Sequence, residues 1–128
     1  MRKKLRAGII GSGMMGPIHT EALRRLGYVD VLALAEVNEA AARAKCEALE
    51  IPRPYGDYRA LIADPDIDVV HNCTPNAVHF EVSKAIIAAG KHVVSEKPLA
   101  RNSKESRQLV ELATRAGVVN AIHFNYRN

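Results

Sequence analysis

Residues 5–27 read LRAGIIGSGMMGPIHTEALRRLG, and the change of period inside this stretch decides the fold. The first six residues, 5–10, are short, mostly apolar and bounded by glycine, as a strand buried on both faces should be. From Met14 onward Met15, Ile18, Ala22, Leu23 and Leu26 recur at helical spacing, and Gly27 stops the run. A buried strand that turns straight into an amphipathic helix opens a strand–helix–strand unit. Gly11, Gly13 and Gly16 lie at the junction in G-x-G-x-x-G spacing.

The alternation continues to the C-terminus. Strands are expected at 29–36, very briefly near 53–55, and at 66–74, 92–95 and 118–124. Helices are expected between them. One spans 38–50, capped by Asn38 and ended by Pro52 and Pro54, and a short one spans 57–64. A third spans 76–90, with an apolar stripe of Val78, Val82, Ala85, Ile86 and Ala89 closed by Gly90. The last, 102–117, opens with Asn102 and Glu105 in capping-box spacing and closes at Gly117. Apolar strands joined by helices imply an α/β fold: a doubly wound parallel sheet of order 3-2-1-4-5-6 with helices on both faces.

Composition narrows the function. The chain has 128 residues, 48% hydrophobic and 25% charged, which suits one ordinary globular domain. It has no apolar run long enough to span a bilayer, so no membrane partner is expected. The start, MRKKLRAGII, is basic and then apolar, but glycines soon break it; it reads as a solvated tail rather than a secretion leader. Cys46 and Cys73 have neither C-x-x-C nor metal-ligand spacing, which suits reduced thiols and a cytoplasmic location. The net charge of +4 arises from 18 basic and 14 acidic side chains. Arg2, Lys3, Lys4 and Arg6 cluster in the tail, the others are scattered, and the aromatics are dispersed. A nucleic-acid partner is therefore not expected.

A G-x-G-x-x-G that leaves a strand and opens a helix has a physical reading. Gly11 permits the tight turn, Gly13 lets backbone approach a pyrophosphate, and Gly16 lets helix and strand pack closely. The helix N-terminus offers free N–H groups and a positive dipole end. Met14 and Met15, in the same turn, are counted with the glycines as contacts of a dinucleotide. Twenty residues past Gly16, at a strand end, Glu36 can accept hydrogen bonds from ribose hydroxyls. Its charge would repel an extra phosphate, and Val37 and Asn38 follow without an arginine, so NAD is favoured over NADP.

Two more strand exits carry candidates. CTPNAVH, 73–79, should border the crevice where strand order reverses, which places Thr74, Pro75 and Asn76 against the cofactor. Asn76 could equally cap its own helix, and His79, as a lone histidine, reads as structural. In HVVSEKPLA, 92–100, Lys97 falls where nicotinamide and substrate would meet. It could donate hydrogen bonds to a substrate oxygen and stabilise charge there. Pro98 fixes the backbone beside it, and Glu96 has no comparably firm role. His71 and Cys73, two apart on one strand, could be imagined as metal ligands but read as partly buried core, and no metal site is expected.

Taken in order, GSGMMG, the acidic strand end, CTPNAVH and SEKPLA resemble the glucose–fructose oxidoreductase / inositol dehydrogenase (Gfo/Idh/MocA) family, from about Leu5 to Asn128. The resemblance implies a Rossmann domain and NAD(P)-dependent oxidation or reduction of a sugar, inositol or related polyol. It assigns Gly11, Gly13 and Gly16 to the phosphate loop and Glu36 to the ribose. Thr74, Pro75, Asn76 and His79 match the cofactor-side junction. Glu96, Lys97 and Pro98 match the catalytic-lysine motif, with Lys97 on the reacting oxygen. Asn125 and Arg127 match the segment bordering the nicotinamide. Family members continue into an α/β domain whose Asp and His transfer protons; His123 reads as a strand residue, not a substitute for them. The expectation is thus that residues 1–128 are a cofactor domain that binds NAD and does little alone. The parent would be a homo-oligomer, and this chain could be monomeric. A non-enzymatic dinucleotide sensor is the alternative, which Lys97 argues against. The E-K-P element likewise disfavours a reductase of amino-acid precursors.

Overall fold

The computed structural model describes residues 3–127, and of Arg127 the backbone alone. Six strands form one sheet in the order β3-β2-β1-β4-β5-β6. They are β1 (Leu5–Ile10), β2 (Val29–Ala35), β3 (Arg53–Tyr55), β4 (Val69–Asn72), β5 (His92–Glu96) and β6 (Asn120–His123). Every neighbouring pair is parallel. The expected doubly wound α/β architecture is therefore the observed one.

The helices are α1 (Met15–Arg25), α2 (Glu39–Leu49), α3 (Tyr58–Ala63), α4 (His79–Ala88) and α5 (Ser103–Ala116). Side chains alternate across β1, and the core divides with them. Ala7 and Ile9 pack with Leu23 of α1 and Cys46 of α2 on one face. Ile10 packs on the other with Leu61 of α3, Ile86 of α4 and Leu109 of α5. Both caps form, Asn38 accepting from the Ala41 N–H and Asn102 from the Glu105 N–H, but the Glu105 carboxylate that would complete the capping box accepts from the Arg101 N–H and guanidinium instead. Among the described residues no helix is long and apolar enough to cross a membrane.

Three elements differ from their expected form. In α1 only Leu23 of the stripe Met15, Ile18, Ala22, Leu23 and Leu26 is buried against the sheet; Ile18 and Leu26 are 49% and 48% exposed. The buried face is Gly16, His19, Thr20 and Leu23. Gly16 lets the helix approach β1 closely, and the two polar side chains find buried partners: Thr20 donates to the Gly16 carbonyl and His19 reaches Glu96. The fourth strand is shorter than 66–74, because the acids before it form a charged turn instead. There Arg6 pairs with Asp66 and Asp68, and Arg53 with Asp64 and Asp66. The helix expected over 76–90 begins as a 3-10 turn, Asn76–Val78, and becomes α-helical at His79. Asn76 makes no side-chain cap there.

Leu61 is fully buried and lies over Gly8, where an added Cβ would meet its Cδ2 at 2.7 Å. Leu61→Ala should therefore leave a cavity between α3 and β1 and cost about 2–5 kcal/mol in urea unfolding. A loss under about 1 kcal/mol would show that this contact does not hold α3 to the sheet.

Candidate functional site

Strand order reverses between β1 and β4, and their exits diverge into a groove of about 990 Å³. The glycine turn forms one wall. Gly11 has φ +90°, and a Cβ there would sit 2.6 Å from the Cys73 carbonyl oxygen. A Cβ on Gly16 would lie 2.5 Å from the Gly11 carbonyl oxygen. Both glycines are required by the protein's own packing. At Gly13 an added Cβ would meet nothing within 4 Å, so its lack of a side chain serves no internal contact. Helix α1 then starts with no side-chain cap and no acid in its first turn, which leaves its N–H groups open to an anion.

Glu36 stands at the end of β2, half-buried. Its Oε1 accepts from the Ser12 N–H at 2.6 Å and from the Ser12 hydroxyl, and its Oε2 accepts from the Val37 N–H at 3.1 Å. Burial alone would raise this carboxyl; the bonds from Ser12 and Val37 outweigh it and hold Glu36 below the usual carboxylate range. Ser12 was not singled out in the sequence, yet it ties the ribose candidate to the glycine turn. Thr74, Pro75 and Asn76 line the groove beside Gly11, with Met14 and Met15. The Thr74 hydroxyl donates to Asn72 Oδ1 at 2.6 Å, and Asn72 in turn donates to Ser83 and to the His79 carbonyl. His79 is 1% exposed, and both its ring nitrogens face protein carbonyls, those of Pro98 at 2.7 Å and Thr74 at 2.5 Å. It backs the groove wall and clamps the exits of β4 and β5 together.

Lys97 lies exposed at the exit of β5 and lines the groove, as do Asn125 and Tyr126. The Lys97–Pro98 peptide is cis. Arg127's side chain falls outside the described residues. Tyr58 and Arg59 of α3 also line the groove, which the sequence did not indicate. Glu96 is 5% exposed, and one of its oxygens accepts two hydrogen bonds, from His19 Nε2 and His123 Nδ1, each 2.6 Å long. Burial raises the Glu96 carboxyl, and the two histidines more than compensate, so it stays ionised below the ordinary range. His71 Nδ1 lies 2.8 Å from His19 Nδ1.

His19, Glu96 and His123 have the chemistry of metal ligands, with ligand atoms within 4.8 Å of one another. Their spacing is that of hydrogen bonds. Two atoms each bound to a tetrahedral zinc would be about 3.4 Å apart, whereas these N···O separations are 2.6 Å. The His71–Cys73 pair is also unsuited to a metal. The His71 nitrogen is engaged with His19, and burial, aided by the Glu96 charge, pushes the Cys73 thiol up to about 12, away from the thiolate a metal needs.

Residues 5–124 match the family described as "Oxidoreductase family, NAD-binding Rossmann fold". The chain is 35% identical over 123 residues to myo-inositol 2-dehydrogenase of Thermotoga maritima, covering 96% of this chain and 37% of that protein. It superimposes on an NAD-binding oxidoreductase from Klebsiella pneumoniae with a TM-score of 0.93 at 40% identity, covering 96% of this chain and 35% of that one. A levoglucosan dehydrogenase in complex with NADH and levoglucosan gives 0.92 at 34% identity, over 98% of this chain and 36% of that one. The chain thus spans a little over a third of the length of these relatives.

The cluster also sets a pH dependence. Burial, with the charges of His19 and His123, lowers His71 from 6.5 to about 4. Between those values the unfolded chain holds a proton that the folded chain refuses, so stability falls as pH drops through this window. The loss should reach about 3 kcal/mol by pH 4. His71→Asn should flatten the slope of unfolding free energy between pH 6.5 and 4; an unchanged slope would place the proton uptake elsewhere.

Proposed function

The chain belongs to the oxidoreductase family with the NAD-binding Rossmann fold, and on that premise we propose that the groove binds NAD(H) as the cofactor half of a sugar or polyol dehydrogenase. The observation that carries this is the unequal demand on the three glycines. Gly11 and Gly16 are forced by internal packing, while Gly13 faces open space where a pyrophosphate would need the backbone bare. The uncapped start of α1 supplies N–H donors to the phosphates. Glu36, ionised and held by Ser12, accepts from the adenosine ribose hydroxyls and repels a 2′-phosphate. Thr74, Pro75 and Asn76 extend the groove wall beside the glycine turn. Asn125 and Lys97 border the nicotinamide end.

When bound, the nicotinamide gives or takes the hydride. Lys97 donates a hydrogen bond to the oxygen on the reacting carbon and stabilises the charge that gathers there. Its exposure at the groove is what a substrate contact needs. The dehydrogenase activity belongs, on this reading, to a longer protein like the relatives, and the substrate is a sugar, inositol or related polyol bearing a CH–OH group. The same reading places the protein in the cytoplasm, with Cys46 and Cys73 as free thiols.

Titration of the chain with NAD tests the proposal: saturable binding is expected, and none at millimolar ligand would sink it. Gly13→Ala should weaken NAD binding at least about tenfold, a 1.4 kcal/mol change, while the melting temperature stays put. Gly16→Ala should lower the melting temperature as well, since its Cβ would strike the Gly11 carbonyl. Equal effects from both would remove the argument from Gly13. Glu36→Ala should narrow the preference for NAD over NADP, and a preference left intact would free Glu36 of that role.

A further inference from the structure

We propose that Glu96 is a positioning residue: bonded to His19 and His123, it sets the β5 exit that carries Lys97 against the helix that opens at the phosphate loop. The inference rests on the dinucleotide reading of the groove. Four side chains from four elements meet here: His19 from α1, His71 from β4, Glu96 from β5 and His123 from β6. The strand register accounts for three of them. Glu96 pairs with His123 across β5–β6, and Val94, two residues before Glu96, pairs with His71 across β4–β5, so all three strand residues share one face of the sheet. Helix α1 lays His19 onto that face, with its ring edge-on to both His71 and His123.

A buried carboxylate is a costly way to fill space. Its use here makes sense if direction matters. Two N–H donors from separate elements converge on one carboxylate oxygen, so neither α1 nor β6 can shift against β5 without stretching a 2.6 Å bond. Lys97 follows at once. On its other side, the Pro98 carbonyl accepts from His79 of α4 at 2.7 Å. The residues flanking Lys97 are thus each fixed to a helix, on opposite faces of the sheet, while Lys97 itself stays exposed on the groove. The tie through His19 matters most, because α1 carries the pyrophosphate subsite. The distance between that subsite and Lys97 is spanned by the Glu96–His19 contact.

The test compares two ligands on the same chain: NADH, which reaches Lys97, and ADP-ribose, which has the phosphates but no nicotinamide. Glu96→Gln keeps the shape and removes the charge. It should weaken NADH at least about tenfold and reduce the change in nicotinamide fluorescence on binding, while ADP-ribose affinity moves less than about threefold. His123→Asn removes one donor at the less buried end and leaves the α1 tie. It should shift the NADH to ADP-ribose ratio the same way but by less, and it carries the test if Glu96→Gln does not fold. Equal losses for both ligands would make Glu96 merely structural and overturn the inference, as would an unchanged ratio. A wild-type chain that binds neither ligand would overturn the dinucleotide reading and this inference with it. Wild-type binding with an unmoved ratio in the variants overturns this inference alone.

Discussion

The close approach of two backbones at Gly11 is the constraint on which the rest of the site depends. The turn after β1 runs against the carbonyl of Cys73, leaving no room for a Cβ, and Gly16 then packs on the carbonyl of Gly11. These contacts bring the exits of β1 and β4 together before they diverge to opposite sides. The crevice follows from that divergence, as it does wherever the order of a parallel sheet reverses. So does the start of α1, whose unpaired N–H groups are aimed into the crevice because the helix begins immediately after the turn. One short glycine-rich segment thereby sets the location of the groove and the polarity of its floor.

Two carboxylates are then placed at the two ends of the groove by opposite means. Glu36 is held by the main chain of the glycine turn and by Ser12, so its position is tied to the phosphate loop. Glu96 is held by the imidazoles of His19 and His123. For each, burial works against ionisation and specific donors reverse the outcome. The difference lies in what the charge faces. Glu36 lines the groove half-buried, with its charge at the groove surface. Glu96 spends one oxygen on the protein and hands its neighbour Lys97 to the solvent side. His71 completes the arrangement behind His19 as a histidine that burial, with the charges of His19 and His123, keeps neutral down to about pH 4.

Much of this was legible in the sequence, for identifiable reasons. The strands are continuous apolar runs and the glycine spacing sits in the one context that gives it meaning, so sheet order, Gly11, Gly13, Gly16, Glu36 and the exits at Thr74 and Lys97 could be placed in advance. The errors come from one source. Periodicity assigns the buried face of a helix by hydrophobicity, and α1 buries Gly16, His19 and Thr20 while leaving Ile18 half-exposed. Nothing local to His19 announces a partner at Glu96, far along the chain. The same holds for Ser12 and Glu36. Glu96 had no firm role from its local sequence because its contacts are long-range, whereas His79, read as structural, has its ring committed to the Thr74 and Pro98 carbonyls. The shortening of β4 has a related cause: the Arg6 and Arg53 pairs that form the turn at Asp64–Asp68 join residues distant in sequence.

The two ends of the groove also differ in what they ask of the sequence. The phosphate end is built from backbone, so the side chains there need only stay out of the way. Met14, 81% exposed, packs little against the protein itself. The Lys97 end is built from side chains, and a flexible lysine is useful there only if the chain beneath it is rigid. That rigidity is expensive: it takes a buried anion, three histidines and a fourth histidine across the sheet at His79. An ordinary surface lysine at a strand end would need none of this. His19, His71 and Glu96 are buried together just before the exposed Lys97, and the cost of burying such a cluster argues that the exit of β5 is held in place for chemistry.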